Sequence, residues 1–539
     1  MAAPAARRLY VSAAAVAVIT ILFRLLTFNG FSNDHYLFVA RARQILMGEW
    51  PVRDFVDPGM PLMYVLSALV ERMVGGIVVP ELILTTAMLA GGAAATVLAV
   101  EALTGSLPLA VAGALVEVIV YPRSYSYPKI VLYAVAALLL IAAATRPTPR
   151  RFAGLGLLTA VAFLFRHDHG IFIGLSSASL AVVLRGKAQV RACRLAAFVA
   201  AALLCLLPWA AFIQQNGGVF SYFQSGIDFS RAEAESGMQR PSFAMTPFDA
   251  DRNAEAFLFY LFWALPAGAA LAVVRGRRDE AWPGEIAAAA SIVLLAAAVD
   301  LTFLRDVLKP RLPDAIVPAV LLACWLARRA WLMAVRRPAI GRRCVRLAIG
   351  VVAAFGAAAV CVEGDTSEQL DRAGVYGGIR GVRSHAQALR KELREPKAAG
   401  MPPSAIYASL TPYAGYFARC TAGSDRILVT EFAPEVYVLA ERGFAGGHPS
   451  FLPRFYSSER EQSLTLRRLS AQSVPIVLVP VETEADFRLS FPLLNSYVEQ
   501  NYTTAATIDA PDVAGIRLLV DRGRPVVATD PATGWPCYR

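Results

Sequence analysis

An α-helical polytopic membrane protein with a C-terminal soluble α/β domain is the fold class the sequence predicts, and three observations predict it. Of the 539 residues 56% are hydrophobic and only 17% charged, with a mean hydropathy of +0.49. Soluble domains carry about a quarter charged residues, and disordered chains need low hydrophobicity. The apolar residues fall in long blocks up to Val362, on the scale of the roughly 30 Å hydrocarbon core at 1.5 Å per helical residue, and no such block follows Glu363. Arginines gather in short loops between the blocks, as orientation signals do. The net charge of +11 therefore points to the lipid bilayer as partner, and with no recognisable binding motif nucleic acid is excluded.

The first block, Leu9–Leu26, follows Arg7 and Arg8 and lacks a small-residue cleavage site, so it reads as a retained helix and not a signal peptide. Ten further blocks lie near Leu82–Leu103, Pro108–Val120, Ile130–Ala144, Phe152–Leu164, Ile171–Leu184, Leu195–Ile213, Phe257–Val274, Ile286–Leu304, Ala315–Leu326 and Leu347–Val362. Basic loops alternate between them: Arg146/Arg150/Arg151, Arg185/Lys187/Arg191/Arg194, Arg275/Arg277/Arg278, and a run from Arg328 to Arg346. Placing all of these in the cytoplasm, with the N-terminus, satisfies the positive-inside rule and puts the C-terminal domain outside. Pro61–Val74 is apolar but short and broken by Glu71 and Arg72, and if it spanned the membrane every later loop would flip. It reads as an outer interfacial or re-entrant helix, leaving about eleven spans. The domain division is then 1–362 in the membrane and 363–539 outside.

In the tail, short β-rich runs at Arg426–Phe432 and Val474–Pro480 alternate with helical patterns at Arg380–Leu393, Pro434–Arg442, Ser458–Ala471 and Leu493–Tyr502. This alternation predicts a small, partly parallel α/β domain. Of the seven cysteines only Cys420 and Cys537 fall well within the outer domain, where an oxidising compartment would let them pair.

Chemistry-bearing residues concentrate in the predicted outer loops. Asp34 opens a helix just after the first span, where a carboxylate can take a proton from a hydroxyl; a helix N-cap is the plainer alternative. Asp54, Asp57 and Asp168 are further acid–base candidates. Arg123, Lys129, Arg166, Arg305, Lys309 and Arg311 can neutralise phosphate or serve as interfacial anchors. Ionisable groups are costly at the membrane edge, so their accumulation on one side marks a polar site. Arg166-His-Asp-His169 contains a metal-ligand set, but adjacent residues diverge, which favours a structural His/Asp pair at a helix start. Glu117 is an intramembrane carboxylate, and Gly91-Gly92 reads as a close-packing position.

The first outer loop resembles that of the GT-C glycosyltransferases, in the branch of protein O-mannosyltransferases and aminoarabinose transferases of lipid A. Asp34, Tyr36, Ala40, Gly48, Pro51, Asp54, Pro61, Leu62 and Tyr64 carry the resemblance, and Tyr121–Lys129, Arg166–Gly170 and Arg305-Asp306 match later turns. The resemblance implies an inverting transferase in a bacterial inner membrane, with a periplasmic C-terminal domain. It would use a polyprenyl-phosphate-linked sugar donor and an extracytoplasmic acceptor. Asp34 would be the catalytic base. Lys129, Arg166 and Arg305, with Arg123 and Lys309, would bind the donor phosphate. His35, Tyr36, Asp54, Asp57, Asp168 and Asp306 would line the substrate. The chain departs from the family pattern at His35, where an acidic residue is common, and at Gly59-Met60-Pro61-Leu62, where a lysine is missing. No cofactor or metal ligand is assigned, although the resemblance leaves room for a divalent cation. The competing function class is a transporter or flippase of a lipid-linked glycan. Transporters favour internal repeats and midplane charges, whereas this sequence shows no repeat and its charges concentrate at one rim.

Overall fold

The computed structural model describes residues 3–234, 241–244, 246, 249–276, 283–304, 309–335, 338–394, 411–510 and 513–539. The helices run α1 (Ala3–Leu26), α2 (Asn33–Leu46), α3 (Pro61–Val74), α4 (Val78–Thr104), α5 (Leu107–Ile119), α6 (Tyr127–Thr145) and α7 (Pro149–Phe165). They continue with α8 (His167–Val183), α9 (Ala188–Gln215), α10 (Val219–Ala234), α11 (Ala250–Gly276), α12 (Pro283–Asp300), α13 (Ile316–Val335) and α14 (Ala339–Glu363). All eleven apolar blocks are helical. Among the described residues, eight helical stretches of 21 to 28 residues are long and apolar enough to cross a membrane, while α5, α7 and α8 have 13, 17 and 17 residues. The protein is a multi-pass membrane protein. The 14-residue α3 is shorter than the hydrocarbon core requires.

The chain forms two compact units. The first gathers residues 1–28, 82–208 and 233–390, and the second gathers 29–81, 209–232 and 391–539. By packing, the first long loop, with α2 and α3, groups with the C-terminal domain.

In the first unit small residues set the helix approaches. A Cβ at Gly92 of α4 would come within 2.7 Å of Ile130, whereas Gly91 faces open space, so one glycine of the pair makes the close contact. The α7–α8 connection is a single extended residue, Arg166 (φ −170°, ψ 131°), and Gly170 lies where a Cβ would fall 2.4 Å from that of Phe163. That contact brings the two helices back antiparallel and fixes the turn carrying Arg166 and Asp168. Glu117 accepts a 2.6 Å hydrogen bond from Thr96, which accounts for its place on α5.

The second unit holds a five-stranded sheet in the order β2-β1-β3-β5-β4: β1 (Arg426–Val429), β2 (Gly443–Phe444), β3 (Ile476–Pro480), β4 (Tyr502–Ala510) and β5 (Val513–Asp521). β2, β1 and β3 run parallel, and β5 and β4 are added antiparallel. β1 and β3 are buried at every position, as suits interior strands with near-continuous apolar runs. The remaining helices are α15 (Thr366–Arg372), α16 (Gly378–Arg394), α17 (Thr411–Cys420), α18 (Pro434–Leu439), α19 (Glu459–Ser470), α20 (Glu484–Ser490) and α21 (Pro492–Asn501). α15 and most of α16 belong to the first unit. α19 starts at Ser458, whose hydroxyl accepts from the Glu461 N–H, the Ser-x-x-Glu pattern of a capping box. Cys420 and Cys537 are joined by a disulfide, their Cα atoms 4.2 Å apart.

Candidate functional site

At one end of the first unit, three connections converge on a small cleft lined by Lys129, Tyr133, Arg166, Asp168, His169, Phe172, Val299, Thr302, Arg311, Asp314 and Ala315. Lys129 and Tyr133 are four residues apart on α6 and share a face. Arg166, Asp168 and His169 come from the α7–α8 turn, and Arg311 and Asp314 from the segment leading into α13.

Asp314 is the hub. It is 4% exposed and its Oδ2 takes both Lys129 Nζ and, at 3.3 Å, Arg123 Nη2. Arg166 Nε lies 3.0 Å from Asp168, and Tyr133 Oη lies 2.9 Å from His169 Nδ1. The lining holds three cations against two carboxylates, with Arg123 as a fourth cation behind Asp314. An anion with several oxygens fits such a surplus, because each guanidinium offers a planar fork.

Thus Lys129, Arg166 and Asp168 come together in one cleft, with Arg123 one contact away. Arg305 and Asp306 lie outside the described residues, and Lys309 is described only by its backbone in a short 3₁₀ turn. Asp314 and Tyr133 escaped sequence reasoning. Asp314 had a signal, a carboxylate at the start of an apolar helix; Tyr133 had the weaker one of lying one turn beyond Lys129. His169 is turned into the protein by Tyr133, which agrees with the structural reading of the His/Asp/His run.

The α2 loop lies in the second unit. Ser32, not Asp34, occupies the N-cap of α2, and Asp34 is exposed in the first turn, where the helix dipole favours an anion. His35 is 1% exposed, 2.9 Å from Glu81 and stacked on Phe31 at 4.0 Å. Tyr36 is also buried, and burial pushes its hydroxyl above the ordinary tyrosine range. Asp54 accepts from the Trp50 N–H at 2.7 Å and from Arg53 Nε at 2.8 Å, closing the Trp50–Phe55 turn. Asp57 Oδ1 accepts from the N–H groups of Gly59 and Met60, while Oδ2 takes the Tyr222 hydroxyl at 2.7 Å. Both carboxylates therefore shape the loop leading into α3. Glu71 of α3 pairs with Arg43 of α2 at 2.7 Å, and burial, opposed by Arg43, pushes its carboxyl up to about 7.

Among the described residues the grouping of potential metal ligands is Cys420, Asp530 and Cys537; there the cysteines are bonded to each other and Arg419 engages Asp530 at 3.0 and 3.1 Å. This arrangement does not suit a metal.

The chain is similar to the crystal structure of ArnT from Cupriavidus metallidurans bound to undecaprenyl phosphate. The TM-score is 0.53 at 12% identity, covering 96% of this chain and 98% of that one. The chain shares the overall fold of that structure. No family model and no curated protein matches the sequence. That fold agrees with the architecture expected from the sequence: many helices and a small α/β region near the end of the chain.

Proposed function

We propose that this protein is a membrane glycosyltransferase that moves a sugar from a polyprenyl-phosphate donor to an acceptor hydroxyl outside the cytoplasm. The cleft around Asp314 carries this reading. Its lysine and arginines form a cationic site suited to phosphate, and the similar ArnT structure has undecaprenyl phosphate bound. In the proposed reaction the acceptor oxygen bonds to the anomeric carbon as its proton passes to the Asp34 carboxylate. The bond from that carbon to the phosphate oxygen breaks with inversion, and the electron pair leaves on the polyprenyl phosphate. Lys129, Arg166 and Arg311 would stabilise the departing charge, an electrostatic contribution that is usually the largest in such catalysis. The Cys420–Cys537 bond supports an extracytoplasmic place for the domain containing it.

The test is transfer of radiolabelled sugar from a purified polyprenyl-phosphate donor by the full chain in lipid nanodiscs. Transfer that is lost with Asp34→Asn in a normally inserted protein supports the reading. Translocation of the lipid without transfer would replace it with a flippase.

A further inference from the structure

The second unit contains a buried arginine that the loop geometry does not explain. Arg41 of α2 is 4% exposed, and its Nε and Nη1 make no hydrogen bond among the described residues. The guanidinium lies over the fully buried ring of Tyr64, 5.2 Å from its centre. The rings of His448 and Tyr456 lie 5.3 Å apart, and both feel the charge of Arg41. His448 Nε2 and the Tyr456 hydroxyl also lack partners among the described residues, as does Arg468 Nη1.

Nearby carboxylates are engaged elsewhere. Asp57 is held by two backbone N–H groups and Tyr222, and Glu461 acts on Arg468 and accepts from Ser225 at 3.3 Å. The segment bearing Tyr456 is strained, with Arg454 and Tyr456 at φ of 74° and 51°. Left-handed backbone at non-glycine residues is costly and concentrates at functional sites. A buried guanidinium with unfilled donors is more costly still, and neighbouring hydroxyl and imidazole groups could add further hydrogen bonds to one ligand.

We propose that Arg41, with Tyr456, His448 and Arg468, binds a phosphate or carboxylate group carried by the acceptor. Assignment to the acceptor rests on the transferase reading, in which Asp34 receives the acceptor's proton. Positions 34 and 41 are seven residues apart on α2, so they share a face about 10 Å apart along the axis. A molecule presenting a hydroxyl to Asp34 and an anionic group to Arg41 would then be roughly one or two sugar rings long.

The experiment uses the full chain in phosphatidylcholine nanodiscs, with thermal midpoints read at constant ionic strength against inorganic phosphate, acetate and chloride. Lys129→Met removes one cation of the first unit's cleft, so anion binding there is weakened. In that background phosphate or acetate should raise the midpoint by about 2 °C relative to chloride. Adding Arg41→Met should abolish the rise, and Arg41→Lys, which keeps charge without the planar fork, should reduce it. No rise with Lys129→Met, or an equal rise after Arg41→Met, overturns the proposal. Should Arg41→Met fail to fold, Arg41→Lys decides, and an undiminished rise overturns the site. Soluble glycerol phosphate and nanodiscs doped with phosphatidic acid then separate a soluble source of the anion from a lipid headgroup. These midpoints need no sugar transfer, so failure of the transferase reading and absence of the anion site give different results.

Discussion

In the first unit Asp314 holds Lys129 and Arg123, and Arg166 leans on Asp168 beside it. Acidic groups there keep cations close at a cleft. In the second unit Asp54 and Asp57 close backbone turns, His35 is fixed by Glu81, and Arg41 has donors without a partner among the described residues. Similar residue types thus have different jobs. Where a carboxylate meets a cation across helices it tunes a binding surface; where it meets nearby backbone N–H groups it builds a loop. Asp34, exposed on the first turn of α2, is the acid of that loop for which we propose chemistry.

The sharpest way to break this comparison is Asp34→Asn. Loss of a general base should lower transfer by up to ~10⁴-fold without changing insertion or thermal midpoint. Activity at the parent level would remove Asp34 from the mechanism. Asp54→Asn, by contrast, should act through the loop, shifting the midpoint more than the chemical step.

Within the first unit, Lys129→Met and Asp314→Asn should separate. Removing Lys129 withdraws a positive charge from the leaving phosphate and should cost ~10²-fold in kcat/KM, with the protein still folded. Removing the Asp314 charge leaves two cations facing each other and should cost about 3–5 kcal/mol of stability. If both variants lose only activity, or only stability, Asp314 is not the hub proposed here. Cys537→Ser should destabilise the second unit by about 2–4 kcal/mol, an effect reproduced by a reducing agent on the parent protein and absent from the variant.

The two regions also differ in how far they could be read from sequence. The eleven apolar helices follow from block length alone, because burial in lipid tolerates little else. The four helices expected in the tail lie within a few residues of their expected positions, since 3.6-residue periodicity and the Ser458 cap are local signals, whereas α15, α17 and α20 were not expected. The β4–β5 hairpin was not visible. Its strand Thr503-Thr-Ala-Ala-Thr-Ile508 has a mixed texture, and a register shift between Thr504 and Ala506 breaks the alternation that would mark it. At the cleft, single cations could be named because each turn is short. Their gathering around Asp314 could not, because it depends on which helices pack together. Burial of His35 and Tyr36 was hidden for the same reason: a loop sequence does not state which face its helix turns inward.

The most gradual expected effect concerns acid stability, and it tests the second unit alone. Burial, aided by the charges of Arg468 and Arg41, holds the His448 imidazole down to about 3. An unfolded histidine titrates near 6.5, so between about pH 6.5 and 3 the unfolded chain binds a proton that the folded chain refuses. Stability contributed by the neutral ring is full above pH 6.5 and declines as pH falls through that window, by up to ~1.4 kcal/mol per pH unit. Glu71, raised to about 7, slopes the other way: its folded form keeps a proton that the unfolded one has released, so stability falls as pH rises from about 4.5 to 7. His448→Gln should therefore flatten the acid side of the stability profile, and Glu71→Gln the neutral side. Between pH 5 and 6 the two slopes oppose each other in the parent and are exposed one at a time in the variants. A parent profile that both substitutions leave unchanged would mean that neither group is buried as described, and the donor cluster around Arg41 would lose its dry surroundings.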